Sequence, residues 1–263
     1  KSKFIYWVMD LYPDVLVACG VANKESRILR LLDRINAASI RKSDATVVLG
    51  RCMLQRIQAK CVPTRNLKVI GVWSDQEEVK SVAREINPYR QEWEVGDRML
   101  VMYSGNFGIG HDVETFLEAA RKLQDDDRVR FAFVGGGKRR GRVEEYVKEN
   151  RLEDTCILAP YQPRDRLDEL LSAADAHLVT LRPGAEGVMV PSKFFGILAA
   201  GRPALYVGQP SSEIARITQE DNCGVAVSPG DSDALVEAIR RFTDDPEERR
   251  ASGDRGRTAL IEK

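Results

Sequence analysis

The chain has 263 residues, of which 43% are hydrophobic and 30% are charged, a balance typical of a globular protein with apolar cores. Lysine and arginine number 40, as do aspartate and glutamate, so no net charge favours nucleic acid as a partner. The five cysteines form no CxxC pair and only two histidines occur, which argues against a disulfide framework or zinc site and predicts a cytoplasmic protein.

The first third of the sequence alternates strand-like and helix-like segments. Apolar runs predict strands at Phe4–Met9, Ala45–Leu49 and Leu67–Val72, and helical spacing predicts helices at Glu25–Ser43 and Cys52–Lys60. This alternation is typical of a parallel sheet covered by helices. Because no helix or turn precedes the first strand, we expect that preceding sequence is missing and that the first domain is incomplete here.

The predicted helix Glu25–Ser43 has an apolar face and a basic face. Two interpretations stay open: the apolar face packs on the first sheet, or the helix rests on anionic lipid at the cytoplasmic membrane. The apolar positions are Ile28, Leu31, Leu32, Ile35 and Ile40, and the basic ones are Arg27, Arg30, Arg34 and Arg41.

A charged stretch with the breakers Asn87-Pro88 and Gly96-Asp97 separates this part from the rest. We place the first domain at residues 1–85, a linker at 86–97 and the second domain at 98–263. The fold class predicted is α/β, with two Rossmann-like, doubly wound domains facing a cleft, the first incomplete. In the second domain we predict strands Met99–Tyr103, Val129–Val134, Cys156–Leu158, Ala176–Leu181, Ala204–Val207 and Gly224–Val227, and helices Asp112–Leu123, Val143–Asn150, Asp165–Ala173, Lys193–Ala200, Glu213–Glu220 and Asp233–Thr243.

The loop after the first of these strands is rich in glycine. Gly105 and Gly108 would let the backbone approach a phosphate, and His111 could hydrogen-bond a diphosphate. The alternative is a plain tight turn in which His111 caps the following helix.

The second glycine-rich loop begins at Gly135 and continues into Lys138 and Arg139. It resembles a Walker A loop only superficially, because Arg139 stands where serine or threonine must bind magnesium. Its glycine spacing also misses the dinucleotide-binding pattern, since Gly141 comes one place late. We interpret it as a basic loop lining the cleft, or else as a loop whose basic side chains are solvated.

A third loop runs from Leu181 to Pro203 and brings a carboxylate, a hydroxyl and an ammonium to a loop-to-helix junction. Glu186 could bind sugar hydroxyls, while Ser192 and Lys193 open a helix whose backbone N–H groups attract anions. Alternatively, Ser192 is only an N-cap and Lys193 is solvated. Glu213, at the next helix start, could lie near the sugar or ribose, or be an ordinary first-turn residue.

Taken in order, these segments resemble the retaining glycosyltransferases of family 4, which have the GT-B fold. The similarity is greatest to the bacterial polysaccharide-assembly branch with colanic-acid and fucosamine-type transferases. It covers essentially the whole chain, although members of the family are normally longer. The residues that carry it are Asp10–Asp14, Met102–Asn106 with Gly108 and His111, Leu181–Pro203, Ser212–Ala215 and Cys223–Val225.

The resemblance implies a nucleotide-diphosphate sugar held by the second domain and an acceptor held by the first. It places Gly105 and Asn106 under the diphosphate, Lys193 as its neutralising cation, and Glu186 at the donor sugar. Gly196 stands where the family commonly has a second glutamate, so ribose recognition by a carboxylate there is not expected. Lys138 is a further candidate for charge that the family supplies by other residues.

The implied reaction transfers a sugar from a UDP-, GDP- or dTDP-sugar to a glycan, expected to be lipid-linked, with no cofactor or metal. No DxD-type pair occupies a suitable position, and Asp125–Asp127 is predicted to be a solvated turn. Three alternatives stay open: a GT-B UDP-sugar epimerase, a non-catalytic sugar-nucleotide-binding protein, and, more distantly, a dinucleotide oxidoreductase. The expected location is cytoplasmic, with peripheral contact at the inner membrane surface.

Overall fold

The computed structural model describes residues 2–60, 66–72, 79 and 81–262. The first half, residues 2–72, holds a parallel three-stranded sheet in the order β1-β2-β3. Part of the charged stretch that we placed before the linker, residues 73–78 and 80, lies outside the described residues. The elements of this half are β1 (Ile5–Val8), α1 (Asp14–Ala18), α2 (Arg27–Lys42), β2 (Ala45–Val48), α3 (Arg51–Gln58) and β3 (Leu67–Val69).

The second half, residues 81–262, contains a six-stranded sheet in which every strand is parallel to its neighbours. All six strands lie where apolar runs predicted them, which confirms the α/β class. The elements are α4 (Pro88–Glu92), β4 (Met99–Asn106), α5 (Glu114–Lys122), β5 (Val129–Gly136), α6 (Arg140–Glu149), β6 (Cys156–Ala159), α7 (Leu167–Ala173), β7 (Ala176–Thr180), α8 (Lys193–Ala199), β8 (Ala204–Val207), α9 (Glu213–Glu220), β9 (Gly224–Val227), α10 (Ser232–Asp244) and α11 (Pro246–Glu262).

Three helices were not predicted. Helix α1 falls in the predicted loop after β1, and α4 falls inside the predicted linker, where Asn87 caps it by accepting hydrogen bonds from the backbone N–H groups of Tyr89 and Arg90. Helix α11 has almost no apolar periodicity, because it covers α8 with small residues, among them Gly253 and Gly256, instead of large ones. Contact through small residues leaves no hydrophobic stripe in the sequence.

The core of the second half explains why β4 reads as a continuous apolar run. Residues Met99 to Tyr103 are all buried, since helices cover both faces of the sheet. On one side Phe116 and Phe242 pack against the strands, and on the other side Tyr89 and Leu170 do so.

The strand order places a binding crevice at one point of this sheet. The order is β6-β5-β4-β7-β8-β9, so the chain builds outward from β4 in one direction and then returns to add β7 on its other side. Ligands of such sheets bind beyond the carboxyl ends of the two strands at this reversal. Gly105 lies at the carboxyl end of β4, and the loop after β7 leads to Lys193. The topology therefore brings two of the predicted loops together.

Helix α2 only partly follows the prediction that its apolar face packs on the first sheet. Leu29, Asn36 and Ile40 are buried, whereas a stripe of four aliphatic side chains is exposed at fractions from 41% to 70%. This exposed stripe, called the α2 stripe below, consists of Ile28, Leu31, Leu32 and Ile35. Within the described residues, no helix has the length and apolar character that a bilayer crossing requires.

Candidate functional site

Lys193, the first residue of α8, has an ammonium group that is buried without a partner. Its Nζ is shielded from solvent and makes no hydrogen bond with any described residue. It lies 3.6 Å from the centroid of the Tyr103 ring, an attraction worth about 2 kcal/mol in a desolvated setting. Burial lowers the pKa of Lys193 to about 7, because the charged form loses its hydration. The alternative interpretation, a solvated Lys193, is therefore wrong.

Gly105 leaves the space that the Lys193 ammonium occupies. A Cβ atom added at Gly105 would lie 3.1 Å from Nζ, and the glycine has a φ of +133°, a conformation that other residues rarely adopt. Both properties require glycine at this point. The end of β4 is consequently a bare strip of backbone beside a buried cation, an arrangement suited to a phosphate group.

His111 completes this corner of the site. Its ring stands edge-on to Tyr103 at a centroid distance of 6.1 Å, and its Nδ1 is shielded without a hydrogen-bond partner among the described residues. Burial, followed by the charge of Lys193, lowers the pKa of His111 to about 4. At neutral pH the imidazole is therefore uncharged and has a nitrogen available for a ligand.

Asn106, Gly108 and Ser192 lie around the same corner. Asn106 is exposed at the end of β4, and its backbone carbonyl accepts a hydrogen bond of 2.7 Å from the Tyr103 hydroxyl. A Cβ at Gly108 would come within 3.2 Å of the His111 ring and 3.3 Å of the Asn106 side chain. Ser192 occupies the N-cap position of α8, yet its hydroxyl makes no capping hydrogen bond. The hydroxyl is exposed and free to meet a ligand.

The glycine-rich loop after β5 supports this corner instead of offering a second phosphate cradle. A Cβ at Gly135 would lie 2.0 Å from the Gly105 carbonyl oxygen, and one at Gly137 would lie 2.2 Å from the Asn106 side-chain oxygen. These glycines thus permit the ends of β4 and β5 to pack closely. Lys138 is exposed, with no hydrogen bond or ion pair to the described residues. Arg139 donates to the His111 carbonyl and pairs with Glu114.

Glu186 lies in the loop after β7, but the first half of the molecule holds that part of the loop. Arg56 donates a hydrogen bond of 3.0 Å to the Glu186 carbonyl oxygen, and a Cβ at Gly187 would lie 2.5 Å from the Cys52 carbonyl oxygen. One carboxylate oxygen accepts from the Gly184 N–H at 2.8 Å, whereas the other is shielded without a partner. Glu186 makes no direct contact with Lys193 among the interactions that the structure describes.

Glu213 is engaged in a contact between the two halves. Its carboxylate accepts from Arg51 Nε at 2.9 Å and from the Cys52 backbone N–H at 3.1 Å, the latter in the first turn of α3. The Glu213 side chain is only 10% exposed. In this conformation both oxygens are occupied, so Glu213 joins the halves and is not presented at the Lys193 corner.

The structure thus brings together Lys193, Gly105, Gly108 and His111, with Asn106 and Ser192 beside them. For Glu186, Lys138 and Glu213 the structure describes no contact with Lys193 or His111. Sequence reasoning missed Tyr103, whose ring contacts both Lys193 and His111, since nothing in an apolar strand singles out one ring. In the part of the chain that the structure describes, no group of three or more His, Cys, Asp or Glu residues could hold a metal ion.

Comparison with known proteins finds relatives that are all described as glycosyltransferases. Residues 85–259 match the family described as glycosyl transferases group 1. The chain is 35% identical over 240 residues to the probable glycosyltransferase WbjE of Pseudomonas aeruginosa, covering 90% of this chain and 59% of that protein. It is 27% identical over 245 residues to the putative colanic acid biosynthesis glycosyl transferase WcaI of Escherichia coli, covering 91% of this chain and 60% of that protein. The chain therefore spans about 60% of the length of these relatives.

Solved structures share the fold at lower identity. Sucrose-phosphate synthase from Thermosynechococcus elongatus superposes with a TM-score of 0.77 at 20% identity, over 98% of this chain and 63% of that one. Anabaena Alr3699/HepE in complex with UDP and glucose gives 0.80 at 13% identity, over 99% and 67%. Together with the two parallel sheets, these likenesses confirm the predicted GT-B fold. The family match covers most of the second half, and we conclude that this chain belongs to the group 1 glycosyl transferases.

Proposed function

We propose that the protein transfers a sugar from a nucleotide-diphosphate sugar to a glycan acceptor during cell-surface polysaccharide synthesis. The observation that carries the proposal is the buried, unpartnered ammonium of Lys193 beside the bare backbone of Gly105. A cation held there without a carboxylate has the environment that a pyrophosphate would complete. The family membership and relatives of polysaccharide biosynthesis support this reading over a binding-only or nicotinamide-dependent function.

The proposed chemistry follows from charge. Breaking the bond between the sugar and the diphosphate places negative charge on the departing phosphate and oxocarbenium character on the sugar. Lys193 and neighbouring backbone N–H groups stabilise the departing phosphate, and one such donor is worth about 3 kcal/mol, or about a hundredfold in rate. We propose that this cation makes the reaction independent of metal, and that the anomeric configuration is retained.

Neutral His111 and the loop carrying Glu186 are assigned to the donor sugar. The unbonded Nδ1 of His111 and the unbonded carboxylate oxygen of Glu186 are groups that carbohydrate hydroxyls would satisfy. Both residues lie on loops that follow β4 and β7, on either side of the sheet reversal. The donor is a UDP-, GDP- or dTDP-sugar, and UDP-sugars are the first to test because Alr3699/HepE was solved with UDP-glucose.

The acceptor is assigned to a cavity of about 730 Å³ between α1, α2, α3 and the Pro183-Gly184 turn. Its wall combines apolar groups with four cations, Lys24, Arg30, Arg56 and Lys60, against the two carboxylates Asp14 and Asp33. This excess of positive charge suits an acceptor that carries phosphate. An apolar wall beside it suits the lipid of a lipid-linked glycan.

We further propose that the α2 stripe lies on the inner membrane surface. The four exposed aliphatic side chains alternate with exposed Arg27, Arg30 and Arg34, a pattern that binds anionic bilayers without crossing them. Vesicles containing anionic lipid should retain the protein, and replacing Leu31 and Ile35 by Gln should weaken retention at least fivefold. The control is the pair Ile86→Gln and Ile261→Gln, which removes equally exposed aliphatic groups elsewhere. Equal retention of both variants would contradict the membrane contact.

The donor proposal is tested by a thermal-shift panel of UDP-, GDP- and dTDP-sugars. At least one should raise the melting temperature of the wild type, and Lys193→Ala should remove that effect. Lys138→Ala, which deletes an exposed lysine on the neighbouring loop, is the matched control and should keep it. If no sugar nucleotide shifts the wild type, or if Lys193→Ala responds fully, the donor site is not at this corner.

Turnover then separates transfer from the other possible activities. The labelled donor that binds should release its nucleotide diphosphate, by transfer or slow hydrolysis, and Lys193→Ala should slow that release about a hundredfold. Inversion at C2 of the donor sugar would instead identify an epimerase. Binding without any conversion, with lipid-linked acceptor present, would leave only a binding role.

A further inference from the structure

The second half has a second strongly cationic site, at the opposite end of its sheet. A cavity of about 700 Å³ opens beside Asp97 at the start of β4, Asp175 before β7 and Pro203 before β8. These positions mark the amino ends of the strands, whereas Lys193 lies at the carboxyl ends. The cavity is therefore separate from the proposed donor site. It is called the arginine cavity below, because its wall contains Arg84, Arg128, Arg202, Arg249, Arg250 and Arg257.

A single buried carboxylate serves most of the inner arginines. Asp175 accepts from Arg84 at 2.5 Å and from Arg90 at 2.9 Å, and Arg249 lies 3.7 Å away. The same carboxylate also accepts the Leu100 backbone N–H at 2.8 Å. Three guanidinium groups thus share one negative charge. The site keeps an excess of positive charge that a hydrogen-bond network to carbonyl groups cannot neutralise.

Arg202 adds another cation to this cluster with no carboxylate of its own. One of its nitrogens donates to the Ser172 carbonyl at 2.8 Å, while Nε is shielded without a partner among the described residues. Burial lowers the pKa of Arg202, Arg90 and Arg249; the charge of Asp175 opposes this shift, and neighbouring arginines add to it. Crowded guanidinium groups of this kind repel one another unless an anion joins them.

Two arginines of the α11 side of the cavity have no partner at all in the described part of the chain. Arg250 and Arg257 line the wall, and neither makes a hydrogen bond or an ion pair there. The other acidic groups of the wall, Glu85, Asp97 and Asp254, are fewer than the arginines. Guanidinium groups offer paired donors that match phosphate oxygens. Arg128 is already paired with Asp126 and Asp244, so Arg202 Nε, Arg250 and Arg257 are the described groups of the wall that remain available to an anion.

We propose that the arginine cavity is a second anion-binding site, which takes a compact molecule with phosphate or pyrophosphate groups. Arg250 and Arg257 make the outer contacts, and Arg202 and Arg249 make the inner ones. The cavity lies between residues 81–85 and α11. A bound ligand would therefore contact both the first segment of the second half and its last helix. Because it lies at the other end of the sheet, its ligand does not compete with the sugar nucleotide.

The test is calorimetric titration with inorganic pyrophosphate, which both sites could bind. Lys193→Met removes the cation of the carboxyl end, and this variant should still bind pyrophosphate with one site. Adding Arg250→Gln and Arg257→Gln should then weaken the remaining binding at least tenfold. The control adds Arg240→Gln and Lys148→Gln to Lys193→Met, because these exposed cations lie outside the arginine cavity, and it should leave the affinity within threefold.

Two results would overturn the proposal. In the first, Lys193→Met alone abolishes pyrophosphate binding, which would mean that the donor corner is the only anion site. In the second, the variant with Arg250 and Arg257 replaced binds as tightly as Lys193→Met, which would make the cluster a purely structural network. Circular dichroism of every variant at the titration temperature separates lost binding from lost folding.

Discussion

Two buried cations at opposite ends of the six-stranded sheet, Lys193 and Arg90, are held in opposite ways. At the carboxyl end, the Lys193 ammonium has no carboxylate and no hydrogen bond among the described residues, only the face of Tyr103. At the amino end, Arg90 is almost completely buried and bonds to Asp175 and to the carbonyl groups of Ala173, Gly96 and Arg98. The Arg90 guanidinium is thus fully paired within the chain, whereas the Lys193 ammonium is not.

Burial of a charge therefore does not by itself indicate function. A fully bonded cation such as Arg90 fastens the chain before α4 and β4 to the sheet, and removing its partner leaves an uncompensated charge. An unbonded buried cation lowers the free energy of unfolding. The binding of an anionic ligand offsets this loss, so such a cation is typical of a binding site. Variants at the two ends should accordingly change stability in opposite directions.

The largest effect is expected from Asp175→Asn. This change keeps the shape of the side chain but removes the charge shared by Arg84, Arg90 and Arg249. Breaking one partner of a buried ionic network typically costs about 3–5 kcal/mol, so the free energy of unfolding measured in urea should fall by about that amount. Asp254→Asn, in the exposed wall of the same cavity, should cost less than about 0.5 kcal/mol. Similar losses in the free energy of unfolding for both variants would show that Asp175 is not the residue on which the arginine network depends.

Lys193→Met should raise stability instead. Methionine fills the same space without a desolvated charge, and we expect a gain of about 1–2 kcal/mol at pH 6, where the wild-type lysine is protonated. Urea unfolding of the two proteins at pH 6 measures this difference directly. A loss of stability larger than about 1 kcal/mol would show that the ammonium is held by favourable interactions in the free protein.

The pH dependence of that difference follows from the lowered pKa of Lys193, about 7 in the folded chain. An unfolded lysine keeps its ordinary pKa near 10.4, so between about pH 7 and pH 10 the unfolded state binds more protons. Stability of the wild type must then rise with pH through this window, by about 1 kcal/mol per pH unit relative to Lys193→Met. Parallel stability profiles for the two proteins from pH 7 to pH 9.5 would contradict the low pKa.

Gly105→Ala is expected to have a smaller effect than Asp175→Asn, and to change both the stability and the response to the donor. The methyl group would lie 3.1 Å from Lys193 Nζ, and the φ of +133° strains any other residue, so stability should fall by about 1–3 kcal/mol. The donor-induced thermal shift should shrink as the ammonium moves. Gly141→Ala, which has open space around it in α6, should instead be neutral or stabilising. Equal changes in stability and in thermal shift for the two variants would show that the site does not need a residue without a side chain beside Lys193.

The sequence alone predicted the strands and helices that surround the Lys193 corner. Gly105 at the end of β4, Gly108 after it and the lysine that opens α8 were found because strand ends, turns and helix starts leave local signals. Their meeting follows from strand order, since parallel sheets of this class reverse beside the first strand. The parallel α/β class and all six strands of the second half were predicted for the same reason.

Contacts between distant segments were not predictable. Glu213 was predicted to be a ligand-binding residue because it begins a helix. Its carboxylate instead accepts hydrogen bonds from Arg51 and Cys52, which lie more than 160 positions earlier in the sequence. Glu186 is likewise held by Arg56 through the backbone of its loop. Tyr103 and the Asp175 network gave no signal, since an aromatic residue in a strand and an acid before one are ordinary. Only the packed structure identifies their partners.

The most direct test of the central claim is the number of protons taken up when the sugar nucleotide binds. At pH 8.5 the free protein holds Lys193 largely neutral, with a pKa of about 7, and a diphosphate beside it should recharge it. Calorimetry in buffers of different ionisation enthalpy should therefore report uptake approaching one proton, and Lys193→Arg should bind with almost none, because arginine stays charged. Binding by the wild type without proton uptake, or equal uptake by both proteins, would contradict the account.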